Sequence, residues 1–450
     1  MTRRKKLLVL APMMALGVIL IFSRSPMFRA TSESEVPLCP GCNVIVILID
    51  TLRADHLPCY GYERNTAPNI CALAEEGILF QNMFSNSPST KTSVASLFTS
   101  MLPTQHKSIF NEDVLSDDLT TMAEILAEHG YNTYAMNSNP VIKTKFNYDQ
   151  GFATWNDNLT RPTKRNRVIL DSLDSYEQPF FLYLHYMDPH SPYRAPGRYS
   201  KFFNADYDGI VTGKEPYEES YFENRPDELE QLNALYDNEI RFVDHSIGEL
   251  FERLREAGLY EDSVIIFLSD HGEGFMEHGR LFHSNSVYTE LINVPLIIRP
   301  PNQEKRVVET PVQTLDILPT LLSMLGIDVD HRFMGRPIFS LIGSGGERPI
   351  IVEQTRFRAS TGRFPETALI MGNYKLIKRM KTNNHMLFDM REDPMERENL
   401  IDSASIAVEL IEKIDFLIEA NASMYGGIEA EKTTLDEKTT QQLKALGYIQ

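Results

Sequence analysis

The chain has 450 residues, of which 42% are hydrophobic and 24% charged, an ordinary globular composition that excludes a wholly disordered chain, a collagen and a small disulfide scaffold. Its formal net charge of −18 excludes general nucleic-acid binding, which needs clustered Lys and Arg, so no nucleic-acid partner is expected. A local basic pocket for an anionic substrate stays compatible with that balance.

In chain order, the basic run Arg3-Arg4-Lys5-Lys6 precedes 16 uncharged residues, Leu7 to Phe22. As a helix this run would rise roughly 24 Å, short of the ~30 Å hydrocarbon core. The reading is a signal anchor or signal peptide over 1–30, followed by a polar tether over 31–42. Either form places the positive charges in the cytoplasm and exports the rest to the periplasm or extracellular space. It would be membrane-anchored through this segment, or secreted after cleavage. All four cysteines lie in the first fifth of the chain. Export permits disulfides, and the preferred pairing is Cys39 with Cys42 and Cys59 with Cys71. A redox or zinc role for Cys39-Pro40-Gly41-Cys42 lacks a second CxxC or a histidine pair.

Asn43 to Ile49 (NVIVILI) predicts a strand buried on both faces, ending at Asp50. Helices are expected over Thr66–Gly77, Thr92–Ser100 and Thr120–His129, then a strand over Tyr131–Met136. Pro179–His185 and Ser263–Leu268 are further buried strands, with a long helical pattern over Leu229–Ala257 between them and a strand at Val294–Arg299 after. This alternation predicts an α/β fold, a mostly parallel sheet flanked by helices, over a catalytic domain 43–343. Past Gly343 the pieces shorten to Pro349–Val352, Ala368–Met371, Tyr374–Lys378 and Met386–Phe388, with a helix over Ile406–Ala420. They predict a small C-terminal antiparallel sheet plus helix, 344–425, and then a polar tail, 426–450, exposed from Gly426 to Thr440.

Polar clusters recur at strand ends or before helices: Asp50, Ser85 to Ser93, Asp188 to His190, and Asp270-His271. In open α/β sheets, ligands sit at such ends. Asp50, Asp270 and His271 offer carboxylate and imidazole ligands for a divalent ion. A hydroxyl beside that ion would become a nucleophile. An Asp-His pair at one strand end also reads as a helix cap beside a surface histidine.

Asp50-Thr51-Leu52-Arg53-Ala54-Asp55, Thr66-Ala67-Pro68-Asn69, Leu268-Ser269-Asp270-His271-Gly272-Glu273 and Asp316-Ile317-Leu318-Pro319-Thr320 follow one another in order. So do Tyr374-Lys375-Leu376-Ile377 and Leu387-Phe388-Asp389. Over about Asn43 to Leu400 the chain resembles the sulfatases of the alkaline phosphatase superfamily. The resemblance implies that superfamily's fold, a divalent metal (zinc, manganese, calcium or magnesium, one ion with room for a second) and hydrolysis or transfer at sulfate or phosphate esters. It implies an anionic ester substrate on a glycan, lipid or small molecule. By position it gives Asp50, Thr90, Asp270 and His271 as metal ligands and His190 and His283 as catalytic, substrate-side residues.

The departures are as informative. Sulfatases carry Cys or Ser in C/S-x-P-x-R, oxidised to formylglycine; here the stretch is Thr90-Lys91-Thr92-Ser93-Val94. Oxidised Thr would be a ketone that hydrates poorly, so Thr90 is expected to attack directly as a catalytic alkoxide. Thr90 also reads as a helix N-cap, and Thr92 and Ser93 are rival nucleophiles. His278 reads as an orienting residue, and Asn139 as an oxyanion donor or a turn residue. The expected function is an exported, metal-dependent hydrolase of phospho- or sulfo-esters. The alternatives are a sulfuric ester hydrolase proper, a phosphoethanolamine or glycerophosphate-type transferase, and an inactive anionic-ligand binder.

Overall fold

The structure, a computed structural model, describes residues 35–157, 162–214, 217–343, 348–356, 364–382, 384–424, 428–446 and 448. The expected N-terminal anchor or signal segment lies outside the described residues, as does the glycine-rich stretch after Gly343. Among the described residues, no helix is long and apolar enough to cross a membrane.

Eight strands form the central sheet, in the order Arg306–Val308, Ile78–Phe80, Leu296–Arg299, Ser263–Ser269, Asn43–Ile49, Phe180–Tyr186, Asn132–Asn137 and Thr154–Asn156. Asn43–Ile49 runs parallel to both its neighbours. Only Leu296–Arg299 is antiparallel to the strands beside it. The unbroken apolar run of the central strand has a physical reason. Val44, Val46 and Leu48 enter one core with Val94, Phe98 and Leu321. Ile45, Ile47 and Ile49 enter the other with Leu182, Ile240 and Leu250. Each such side chain contributes about 1.5–3 kcal/mol.

The long helix Pro226–Glu256 starts with Pro at its first turn and carries Asp227 and Glu228 there, favourable against the helix dipole. It covers the second face. Thr90–Thr99, every residue of it buried, lies on the first. It begins two residues before the expected start at Thr92. Ser89 is the N-cap residue and Thr90 the first helical residue, so the N-cap reading of Thr90 does not hold.

The C-terminal region forms a four-stranded antiparallel sheet in the order Ile350–Gln354, Glu366–Met371, Tyr374–Arg379, His385–Asp389. Helix Ala407–Met424 packs Leu410 and Ile414 against Leu369, Leu376 and Leu387 on one face. The other face meets Val287 and Ile292 of the main domain. Both expected disulfides, Cys39–Cys42 and Cys59–Cys71, are present.

Of the stretch expected to be exposed, residues 428–440 are described and are mostly exposed, with Thr439 buried, whereas residues beyond 440 dock. Glu431–Lys432 pairs with Asp113–Val114. Helix Glu437–Ala445 is capped by Asp436, whose side chain accepts from the Thr439 N–H. Leu443 and Tyr448 are buried in the main core. The polar residues that dominate this stretch hide a short apolar stripe, which is what docks.

Candidate active site

The register of the central strands assembles the site. Ile49 is level with Tyr186 on one side and Ser269 on the other. Asp50, His185 and Asp270-His271 therefore leave the sheet at one edge. Asn137 pairs with His185, and Asn139 follows two residues on. Gly272 lets the Glu290 backbone approach closely there, since a Cβ on it would lie 2.0 Å from the Glu290 carbonyl oxygen.

Helix Thr90–Thr99 presents Thr90 from the facing layer. Thr90 Oγ1 lies 3.1 Å from His271 Nε2 and 3.3 Å from Tyr448 Oη. Its rivals are engaged elsewhere: Thr92 Oγ1 donates to the Ser89 carbonyl at 2.9 Å, and Ser93 Oγ to the Asp270 carbonyl at 2.7 Å. Thr90, Asp50, Asp270 and His271 are all buried.

Each carboxylate is held by one oxygen and leaves the other open. Asp50 Oδ2 accepts from Asn139 Nδ2 at 2.6 Å and His185 Nε2 at 3.1 Å. Asp270 Oδ1 accepts from the backbone N–H of Thr51 at 3.1 Å and of His271 at 2.9 Å. Asp50 Oδ1 and Asp270 Oδ2 are buried with no hydrogen-bond partner. His271 Nδ1 donates to the Gly272 carbonyl at 2.9 Å, so Nε2 carries the lone pair. That nitrogen is 3.9 Å from Asp50 Oδ1 and 3.5 Å from Asp270 Oδ2. Two unpartnered carboxylate oxygens beside an imidazole nitrogen that meets the Thr90 hydroxyl, facing one another in a buried space, fit a divalent cation.

The electrostatics agree. Burial pushes the Asp50 carboxyl up to about 6. Burial, then the neighbouring Asp50, push Asp270 up to about 6. Burial takes His271 down to about 4. These are the directions expected when the charged forms are taken out of water. Asp50, His185 and Asp270 also offer ligand atoms within 4.8 Å of one another. The hydrogen bond from His185 Nε2 to Asp50 Oδ2 makes His185 an orienting group for that carboxylate.

His190 and His283 lie beside this cluster. The His283 ring is 4.5 Å from His271 and 4.8 Å from His190, centre to centre. His190 Nδ1 donates to the Ser191 carbonyl at 2.6 Å, and its Nε2 is buried without a partner. Burial lowers the His190 pKa. His283 Nδ1 bonds Glu273 Oε1 at 2.9 Å, and Tyr193 Oη donates to Glu273 Oε2 at 3.0 Å. Burial pushes Glu273 up to about 7.

All six residues expected from the sequence thus come together. Three more belong with them. His185 ends a strand whose apolar run hides it, and Glu273 sits inside the Asp270-His271-Gly272-Glu273 stretch. Tyr448 gave no signal in a polar tail. Asn139 serves Asp50 and Tyr448, at 2.6 and 3.0 Å. His278 bonds Glu290 Oε1 at 2.8 Å and the Glu396 carbonyl at 3.2 Å, tying the main domain to the C-terminal region.

A family model described as sulfatase matches residues 42–327, and one described as N-sulphoglucosamine sulphohydrolase, C-terminal, matches 276–420. The chain is 24% identical over 423 residues to the uncharacterized sulfatase YidJ of Escherichia coli (strain K12), across 81% of this chain and 84% of that one. It is 24% identical over 454 residues to an arylsulfatase of Clostridium perfringens (strain 13 / Type A), across 83% and 92%. A solved structure in complex with its substrate D-glucosamine-2-N,6-O-disulfate superposes with a TM-score of 0.73 at 18% identity, over 86% of this chain and 98% of that one. The phosphonate monoester hydrolase of Agrobacterium radiobacter gives 0.70 at 19% identity, over 88% and 98%. The structural likenesses show the shared fold. The chain belongs to the sulfatase family and is a sulfatase-family ester hydrolase.

Proposed function

We propose that this sulfatase-family enzyme hydrolyses an anionic phosphate or sulfate ester through direct attack by Thr90. The observation that carries the reading is the buried Thr90 Oγ1, 3.1 Å from His271 Nε2. It stands in the cluster where Asp50 Oδ1 and Asp270 Oδ2 are left without partners. Asp50, Asp270, His271 and Thr90 would hold a divalent ion. Bound there, zinc, manganese, calcium or magnesium supplies Lewis-acid stabilisation of the hydroxyl and of a substrate oxygen.

The remaining chemistry belongs to the chain. Thr90 gives its proton to the His190–His283 pair, and Oγ1 bonds to phosphorus or sulfur as the bond to the leaving oxygen breaks. The His190–His283 pair protonates the leaving oxygen. Water then attacks the Thr90 ester and its proton returns to that pair, which frees Thr90. Asn139 and His185 orient Asp50, and Glu273 orients His283.

The Thr at the nucleophile position favours phosphoester over sulfate-ester chemistry, because it cannot form a readily hydrated aldehyde. Sulfate-ester hydrolysis is the second reading, favoured by the curated relatives, which are sulfatases. The substrate class is an ester on a glycan, lipid or small molecule. The basic and apolar N-terminal run and the two disulfides support an exported location, membrane-anchored or secreted.

The test is hydrolysis of matched nitrophenyl sulfate, phosphate monoester and phosphate diester, each with zinc, manganese, magnesium and calcium. Phosphoester turnover abolished by Thr90→Ala is the expected result. Selective sulfate turnover would overturn the phosphoester preference. Wild-type turnover in Thr90→Ala would overturn the nucleophile.

A further inference from the structure

Tyr448 reaches the reacting centre from outside the strand ends that build it. Its hydroxyl lies 3.3 Å from Thr90 Oγ1 and 3.0 Å from Asn139 Nδ2. The protons along this row can be placed. Asn139 Nδ2 is an amide nitrogen and can only donate, one hydrogen to Asp50 Oδ2 and one to Tyr448 Oη. At the other end, His271 Nε2 carries a lone pair, because Nδ1 donates to Gly272. A Thr90 oxygen that attacks has lost its proton and can only accept, and Tyr448 Oη already accepts from Asn139, so the phenol hydrogen serves Thr90 Oγ1. The row then runs from Asn139 through Tyr448 to the attacking Thr90 oxygen.

We propose that Tyr448 is a catalytic residue, whose hydroxyl donates a hydrogen bond to the Thr90 oxygen and to the phosphoryl or sulfuryl group that forms on it. This rests on the reading of Thr90 as the nucleophile. The contact stabilises negative charge on Oγ1 when it attacks and again when it leaves, with no proton transferred. It also supplies a donor where charge is otherwise hard to meet: the stretch Asn137-Ser138-Asn139 contains no cation. Lys91, next to the nucleophile, turns away, with Nζ 3.0 Å from the Asn111 carbonyl and 3.8 Å from the Phe146 ring centre.

The hydroxyl is held in place rather than resting there by chance. The Tyr448 N–H donates to the Leu443 carbonyl at 2.9 Å. Its own carbonyl accepts from Asn111 Nδ2 at 3.2 Å. Its ring lies at 27° to that of His190, 5.4 Å between centres. Upstream, Leu443 is fully buried, and Lys143 and Lys145 bond Gln442 and Asp436 of the same segment at 3.0 and 2.7 Å. A donor fixed at both backbone and ring loses little freedom when charge develops beside it.

The experiment compares wild type, Tyr448→Phe, Leu443→Asp and Thr90→Ala in hydrolysis of nitrophenyl phosphate and sulfate, with thermal midpoints and calorimetric titration with inorganic phosphate. Expected for Tyr448→Phe are a fall in kcat of about 100-fold, an unchanged midpoint and weakened phosphate binding. Leu443→Asp, which undocks the segment, should reproduce the loss of kcat. Wild-type kcat and phosphate affinity in Tyr448→Phe would overturn the proposal. So would a rise in kcat in either variant, which would make the segment an obstruction. Full activity of Thr90→Ala would instead overturn the nucleophile and leave the Tyr448 result to be read from phosphate binding. If wild type turns over neither ester, phosphate titration decides Tyr448 alone.

Discussion

His271 Nε2 and Asp270 Oδ2 face each other across 3.5 Å with no hydrogen bond between them. The imidazole proton is committed to the Gly272 carbonyl on the other nitrogen. Asp50 Oδ1 joins them, without a hydrogen-bond partner like Asp270 Oδ2. This arrangement costs stability unless a cation enters it. A divalent ion at about 100 times its Kd is therefore expected to stabilise the fold by about 2.7 kcal/mol. A chelator should reverse the gain, and Asp270→Asn should abolish it. Calorimetric melting with and without the ion checks this. Equal melting of wild type and Asp270→Asn at every ion concentration would sink the metal assignment.

Direct attack by Thr90 predicts a covalent adduct. Acid quenching during turnover of a nitrophenyl ester should leave a phosphoryl or sulfuryl group on the peptide that contains Thr90, detectable by mass spectrometry. Replacing His190 with Ala should raise the trapped fraction if it serves the water step. An unmodified Thr90 peptide under steady turnover, with the adduct found elsewhere, would reassign the nucleophile.

His278 gives a pH dependence. Both ring nitrogens face acceptors, Glu290 Oε1 and the Glu396 carbonyl, so both must carry protons. Burial alone would lower its pKa, and the Glu290 carboxylate more than offsets this and raises it. A histidine with a raised folded pKa adds stability that is complete below about 6.5, its unfolded value. The contribution is lost as pH rises through the folded value. The His278→Gln variant should thus melt below wild type at pH 6 and approach it at pH 9. A constant difference across that range would show that the imidazolium contributes nothing.

Lys375 and Glu396 form a pair at 2.7 Å with both side chains fully buried. Breaking one side of such a pair leaves an uncompensated charge, at a cost of about 3–5 kcal/mol. Lys375→Met should show that loss in urea unfolding. Adding Glu396→Gln should recover part of it, since the Thr289 N–H that Glu396 Oε2 accepts at 2.7 Å keeps an acceptor. Additive losses in the double variant would mean that the two residues act independently.

Local pattern alone made much of this protein legible. The run Asn43–Ile49 announced a strand buried on both faces, and its β-branched residues do enter two cores. The short strands after residue 348 announced a separate antiparallel sheet by their spacing. Asp50, Asp270 and His271 were visible because acidic residues and histidine at the ends of apolar strands stand out against their neighbours. What the majority composition did not show is the docking of the residues beyond Thr440. The stretch around Glu437–Ala445 is mostly polar, yet the few apolar residues in it decide where it lies.

The sequence by itself determined the family, the α/β architecture and the residue types able to hold a cation and a nucleophile. These follow from local periodicity and from short motifs read in order. Only the tertiary structure decided which oxygen of each carboxylate is free, which nitrogen of His271 is bare, and that His185, Glu273 and Tyr448 complete the site. Those facts depend on strand register and on the docking of segments up to 358 positions apart, as between Thr90 and Tyr448. Hydrogen-bond partners across such distances leave no periodic trace in the chain, because they are fixed by the packing of the surrounding core.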